Sequence, residues 1–149
     1  MTDMELLMDT LRRMGKTIAM SVQEKAGKLS GTELNGEGDY IPSFASACAN
    51  MNMLERPIGF VCKSTAGRVV RLLQVYNSEV YPAEPEELPA QWGFVWSKNP
   101  EHALPFVAIS TSPYMKGECC TEDGIAYRSL IDNNVYAPGA YPQGWEEAI

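Results

Sequence analysis

An internal repeat in the second half of the chain places the strongest constraint on its fold. Residues 67–77 resemble residues 124–134, because glycine, arginine, leucine and asparagine recur at a spacing of 57 residues. Each copy continues through tyrosine and proline and closes on a tryptophan, Trp92 in the first copy and Trp145 in the second. A unit of about 25 to 30 residues is too small to bury a secure core alone. We therefore expect an α+β protein in which two small sets of short antiparallel strands pack against each other or against the N-terminal part.

The N-terminal residues predict an amphipathic helix with a narrow apolar stripe. Thr2 and Glu5 have the spacing of a capping box, and no proline occurs between them and Lys25. The stripe follows steps of three and four, as in a coiled-coil seam, and consists of Met4, Leu7, Leu11, Met14 and Ile18. Such a helix is marginal in isolation and must pack on something. It either covers the protein's own core or anchors the chain to copies of itself or to a larger assembly.

Composition divides the chain into four segments. We expect residues 1–27 to form the helix, 28–56 a connector, 57–96 a degenerate first β module and 97–149 a second β module. Glycines and a shortage of apolar residues over 28–39 predict a flexible or irregular tether.

The charge distribution excludes some classes of partner. The chain carries 12 basic and 19 acidic residues, and residues 78–149 account for the whole deficit with a sum of −8. Broad binding to nucleic-acid phosphates needs clustered lysine and arginine, so we expect no nucleic-acid partner. No apolar run approaches the roughly 20 residues that span a bilayer, and the first residues lack the pattern of a secretory signal. We expect a soluble protein that is made inside the cell and inserts into no membrane.

The residue types that carry most enzyme chemistry are sparse and poorly spaced. The four cysteines form no C-x-x-C pair, and His102 is the only histidine. Cys119 and Cys120 are adjacent, an arrangement that rarely supports a bridge or a zinc site. We therefore expect reduced thiols packed as small apolar groups, with no metal, no cofactor and no catalytic residues.

The second copy has a recognisable layout. A glycine turn opens a strand over 124–131, an asparagine-rich turn follows, and the segment 141–145 returns through proline to a tryptophan, while Tyr114 and Gly117 precede the strand. This layout resembles a small chitin-binding-type carbohydrate-binding module (family 5/12). Over the chain as a whole, a helical stretch followed by two such modules looks like small proteins from the tail region of tailed phages. The resemblance implies a small β fold, no catalysis, and glycan contact through exposed aromatic side chains.

Sugar binding would need a flat exposed aromatic ring beside fixed polar groups. The candidate glycan-contacting residues of the second copy are Tyr127, Tyr136, Tyr141, Trp145 and Asn133. Trp92 and Trp145 close both copies at the same place, which favours a core role for them over ligand contact. Tyr136 and Tyr141 lie in a Pro- and Gly-containing turn and are the better candidates for exposure, whereas Asn134 is expected to cap a turn. Whether Tyr127, Tyr136 and Tyr141 form a flat exposed row separates glycan contact from a purely architectural role, because burial of these rings would remove the physical basis of glycan binding.

Two functional hypotheses follow. In the first, the chain is a non-enzymatic virion component of a phage tail or fibre, attached through its N-terminal helix to copies of itself and to other virion proteins. Its β modules would then contact host-surface glycan. In the second, the chain is purely architectural and cements or decorates a tail or capsid by protein contact, without glycan recognition.

Overall fold

The computed structural model describes residues 2–148, which contain three α-helices and two three-stranded antiparallel sheets. The helices are α1 (Asp3–Lys25), α2 (Gly31–Gly36) and α3 (Phe44–Asn50). The strands of the first sheet are β1 (Val61–Lys63), β2 (Val69–Leu72) and β3 (Trp92–Phe94), and those of the second are β4 (Cys119–Glu122), β5 (Ile125–Ser129) and β6 (Trp145–Glu147). Both sheets keep their strands in sequence order. The expected α+β class is confirmed.

The sequence repeat is visible in the register of the two sheets. In the first sheet Leu72 lies opposite Trp92, and in the second Ser129 lies opposite Trp145. Leu72 and Ser129 are 57 residues apart, which is the spacing of the repeat. Each closing tryptophan therefore begins the third strand of its own sheet.

One aromatic core joins the two sheets. The ring of Trp96, just after β3, stacks on that of Tyr114 with 4.3 Å between centroids. Tyr114 in turn meets Trp145 edge-on at 5.4 Å. All three tryptophans of the chain are buried in this cluster. The segments 57–96 and 97–149 thus pack against each other, as expected for copies too small to fold alone.

The expectation of a flexible or irregular tether over 28–39 is wrong. Ser30 and Glu33 form a capping box that starts α2, and Leu34 is fully buried. A Cβ on Gly31 would overlap the carbonyl oxygen of Trp96, so glycine is needed for α2 to reach the end of β3. Gly31 therefore serves close packing rather than flexibility.

Helix α1 is capped as predicted, but only its last turns touch the rest of the protein. Thr2 and Glu5 form the capping box. Val22, and Ala26 immediately after the helix, are buried against a small apolar cluster that includes Val61 of β1. The five residues of the predicted stripe are all exposed, with exposed fractions between 38% and 66%. The stripe therefore does not cover the protein's own core.

The cysteine side chains are unpaired throughout the described residues. Cys62, Cys119 and Cys120 are buried and Cys48 is half-buried. Burial raises the pKa of all four thiols, that of Cys120 to about 12. These side chains pack as small apolar groups, as the sequence predicts.

Within residues 2–148, no helix combines the length and the apolar character needed to cross a membrane.

Candidate functional site

Two exposed tyrosines form a pair on the second sheet's closing loop. Tyr136 is 57% exposed and Tyr141 37% exposed, and their ring centroids are 5.6 Å apart. The ring planes meet at 56°. The tyrosine pair (Tyr136 and Tyr141) therefore presents two adjoining faces at an angle rather than one continuous plane.

Asn134 holds the backbone that carries the tyrosine pair. This side chain is fully buried, and its amide nitrogen donates to Ser129 Oγ at 3.0 Å and to the Gly144 carbonyl at 3.1 Å. Its amide oxygen accepts from the backbone N–H of Tyr136 at 3.2 Å. The expected turn-capping role of Asn134 is confirmed, and through it the turn that bears Tyr136 is tied to the loop that follows Tyr141.

A glycine sets the position of the second ring. A Cβ on Gly144 would lie 2.7 Å from Cδ2 of Tyr141, so the ring lies directly over this residue. Any larger residue here would push the ring away, because protein interiors leave no room for an added carbon at that distance. Gly144 and Asn134 are thus positioning residues of the pair.

Trp145 supports the tyrosine pair from the core and is not itself available to a ligand. Its indole is buried, its N–H donates to the carbonyl of Tyr136 at 2.7 Å, and it meets Phe106 edge-on. A sugar ring could reach neither of its faces. Trp145 is therefore not a glycan-contacting residue. It has the core role that its position at the end of the second copy, matching Trp92 in the first, already favoured.

The remaining candidates do not extend the tyrosine pair into a row. Tyr127 is half-buried on β5 and packs against the aromatic core. Desolvation, with the nearby acids Glu147 and Glu122, raises the pKa of Tyr127. Asn133 is exposed in a left-handed turn conformation with φ of 55°. The expected flat row of three exposed tyrosines is therefore not formed, and the exposed rings are those of Tyr136 and Tyr141.

The first copy lacks the pair. Tyr81 follows the asparagine turn of the first copy as Tyr136 follows that of the second, and it is exposed to the same degree, 58%. Four residues before Trp92, however, stands Leu88, where Tyr141 stands before Trp145. Leu88 is half-buried and packs against the core. Two adjoining exposed rings are thus a property of the second copy alone.

The apolar face of α1 is the second candidate surface. We use this name for the uncovered residues Met4, Leu7, Leu11, Met14 and Ile18. Met8 widens the face, and Thr10 and Thr17 flank it with hydroxyls that donate to backbone carbonyls one turn earlier. No charged residue interrupts it. Contiguous exposed apolar surface of this kind marks sites of association in soluble proteins.

Outside these two surfaces, few side chains that could catalyse a reaction or bind a metal ion lie close together. His102 shares an open cavity of about 290 Å³ with Lys63 and Asp39, and among residues 2–148 no hydrogen bond or ion pair joins these side chains. The same residues bring together no group of three histidine, cysteine, aspartate or glutamate side chains that could hold a metal ion.

No protein-family model, no curated protein and no solved structure matches this chain. The likeness of the second copy to carbohydrate-binding modules therefore stays a hypothesis, and function is inferred from the apolar face of α1 and the tyrosine pair.

Proposed function

We propose that the chain is a non-enzymatic structural component of a larger assembly, held there by the apolar face of α1. The sequence resemblance makes the tail region of a phage virion the assembly to test first. The observation that carries the proposal is the exposure of five large apolar side chains in line on one helix.

The helix is built to present this face. Its C-terminal end is fixed to the first sheet, because Gln23 hydrogen-bonds the backbone of Val61 and Arg71 donates to the carbonyl of Ala26 at 2.9 Å. The preceding turns project over about 25 Å, at 1.5 Å per residue. An amphipathic helix that packs on nothing is only marginally stable in water. A partner that covers the face would remove apolar surface from water and stabilise the helix at the same time.

Incorporation into virions tests this proposal. Phage particles would be purified from cells that supply the intact chain, Leu11→Glu or Leu6→Glu, and the chain would be quantified by mass spectrometry. Leu11 lies in the apolar face, whereas Leu6 is an equally exposed leucine on the opposite side of α1. We expect Leu11→Glu to lower incorporation at least ten-fold and Leu6→Glu to leave it unchanged. Absence of the intact chain from particles, or an equal loss in both variants, would contradict the proposal.

A second candidate function, glycan contact, is favoured by the tyrosine pair. Exposed aromatic rings are the usual partners of the apolar face of a sugar ring. Asn134 and Trp145, which are buried, hold the two tyrosine rings at a fixed angle. The two rings could therefore contact two neighbouring sugars of a glycan chain when the planes of those sugars differ in orientation. The acidic surface of residues 78–149 favours neutral over anionic glycans.

Glycan arrays and cell-wall pull-downs with the intact chain test the second candidate. The test variant is Tyr136→Ala/Tyr141→Ala, and the matched control is Tyr81→Ala, which removes an equally exposed tyrosine at the corresponding place in the first copy. Binding that falls at least ten-fold in the double variant alone would support glycan recognition. No binding by the intact chain would leave the architectural role as its only function.

A further inference from the structure

We infer that the apolar face of α1 is covered by the same face of a second copy of this chain, with the two helices antiparallel and centred on Leu11. This inference rests on the proposed role of the face in assembly and adds the identity and orientation of the partner.

Two copies cannot pair with their α1 helices parallel, because the rest of each protein, which we call the body and which follows α1, would collide. Val22 lies 18 residues after Met4, which is five turns of about 3.6 residues, so the two residues stand on the same side of the helix. Val22 and Ala26 are buried against Leu34 and Val61. The body therefore lies under the continuation of the apolar face. Two parallel helices that share this face would place both bodies in the same space beyond Ile18.

When the two α1 helices are antiparallel, the bodies of the two copies lie at opposite ends of the helix pair. With Leu11 opposite Leu11, Met4 of each copy is level with Ile18 of the other, and Met8 is level with Met14. Leu7 is then level with Gly15, where the absence of a side chain leaves open space on the helix surface. The exposed part of α1 in one copy thus lies along the same exposed part in the other copy over its whole length, as a two-fold symmetric interface requires.

The charges of α1 favour the same orientation. The first turns carry Asp3, Glu5 and Asp9, and the middle carries Arg12, Arg13 and Lys16. Parallel helices would bring acidic turns beside acidic turns and basic beside basic. With Leu11 opposite Leu11, Asp9 of each copy is level with Arg13 of the other, so these two residues, which pair at 2.9 Å within one helix, also lie beside an opposite charge of the second copy. Complementary potentials of this kind set orientation and partner choice.

A groove at the foot of the helix receives the end of the partner. It has a volume of about 240 Å³ and is lined by the apolar residues Ile18, Val22 and Leu29 together with Ser21, Lys25 and Glu37. In the antiparallel register it lies beside Met4 and Asp3 of the second copy. A contact between two helices of this length is smaller than the usual interface of about 800 Å² per partner, and the groove adds to it. The result is a dimer held by a modest interface.

Cysteine cross-linking with the full chain distinguishes the two orientations. Met4→Cys and Ile18→Cys would each be made in a Cys48→Ala background, because the other native thiols are buried. The variants are oxidised separately and after mixing, and light scattering gives the mass of the intact chain against 16.5 kDa for one copy. The pair Leu11→Glu and Leu6→Glu supplies the matched control for the face.

We expect a mass of two copies, lost in Leu11→Glu and kept in Leu6→Glu, and a disulfide between the mixed variants at least five-fold more abundant than in either variant alone. Efficient cross-linking of Met4→Cys to itself would overturn the antiparallel orientation. A single-copy mass at all concentrations would overturn self-association. The virion experiment decides the proposed function independently. If the mass is that of a single copy and Leu11→Glu is still lost from virions, the apolar face of α1 binds a different protein: the proposed function stands and self-association does not.

Discussion

The side chain of Gln23 pairs with the backbone of Val61 in both directions. Its amide nitrogen donates to the Val61 carbonyl at 2.8 Å and its amide oxygen accepts from the Val61 N–H at 3.0 Å. Val61 begins the edge strand β1, and its outer backbone groups have no partner strand, whereas the N–H of Lys63 at the other end of β1 donates to the Pro42 carbonyl. One glutamine thus continues the hydrogen bonding of the first sheet onto α1 and fixes the direction in which the helix projects.

Replacing Gln23 by alanine should lower the free energy of unfolding by about 1–3 kcal/mol, because two backbone groups of β1 lose their partners in a half-buried place. Urea denaturation followed by circular dichroism measures the change. Glu24→Ala, at the exposed neighbouring position of the same helix, is the control and should change stability by less than about 0.5 kcal/mol. Equal effects of the two substitutions would show that the Gln23 pairing contributes nothing specific.

Asn134 and Asn77 occupy the same place in the two copies but should differ in their importance. Asn134 is fully buried with three hydrogen bonds, whereas Asn77 is half-buried and water can replace its contacts. Asn134→Ala should therefore cost about 2–3 kcal/mol and Asn77→Ala about 1 kcal/mol or less. Chemical denaturation of both variants gives the comparison. A larger loss at Asn77 would show that the first copy carries more of the stability.

Local signals in the sequence were sufficient for the parts of the fold that depend on neighbours along the chain. The helix start at Thr2 follows from a capping box, and the repeat spacing reappears in the registers of Leu72 and Ser129. Ser30 and Glu33 carry the same capping signal, yet Gly31 and Gly36 at the two ends of α2, with Gly38 beyond it, gave the segment the composition of a tether. That segment is ordered by a tertiary contact, the approach of Gly31 to Trp96, which no local pattern encodes.

The candidate site shows the same division. Exposure of Tyr136 and Tyr141 follows from their place in a Pro- and Gly-containing turn. Burial of Trp145 follows from the recurrence of a tryptophan at the end of each copy. The angle between the tyrosine rings depends on the space above Gly144, and the half-burial of Tyr127 depends on which face of β5 meets the aromatic core. Both are consequences of packing across the two sheets.

The stacked pair Trp96 and Tyr114 predicts that the two sheets unfold together. Tryptophan fluorescence and far-ultraviolet circular dichroism should report coincident transitions in urea. Trp96→Ala should cost about 3–5 kcal/mol and keep the two transitions coincident. A chain starting at residue 97, which lacks the Trp96 ring, should show no cooperative transition. Separate transitions for the two probes in the intact chain would mean that the sheets are independent.

Gly31 should tolerate no side chain. Gly31→Ala places a Cβ against the backbone oxygen of Trp96, so α2 must move away, at a cost of about 1–3 kcal/mol. Gly36→Ala in the same helix is the control, since its added carbon meets nothing within 4 Å. Thermal unfolding of the two variants should show a lower Tm for Gly31→Ala alone. Equal Tm values would indicate that α2 does not dock on the end of β3.

Glu118 should make the protein less stable at neutral pH than a neutral side chain would. Burial, opposed by the backbone N–H of Met115 and by Lys98 and reinforced by Asp132, raises the pKa of Glu118 above its ordinary value of 4.5. The folded protein thus holds this proton more tightly than the unfolded chain. The resulting stabilisation is present below pH 4.5 and is lost as the pH rises through the raised pKa.

Glu118→Gln keeps the oxygen that accepts from the Met115 N–H, at 2.7 Å in the parent protein, and removes the charge. The free energy of unfolding of this variant should exceed that of the parent at pH 7, and the difference should shrink toward pH 4. Urea midpoints at the two pH values measure it, with Glu101→Gln at an exposed position as the control for loss of one acidic charge. A variant less stable than the parent at pH 7 would mean that the charged acceptor outweighs the cost of its burial.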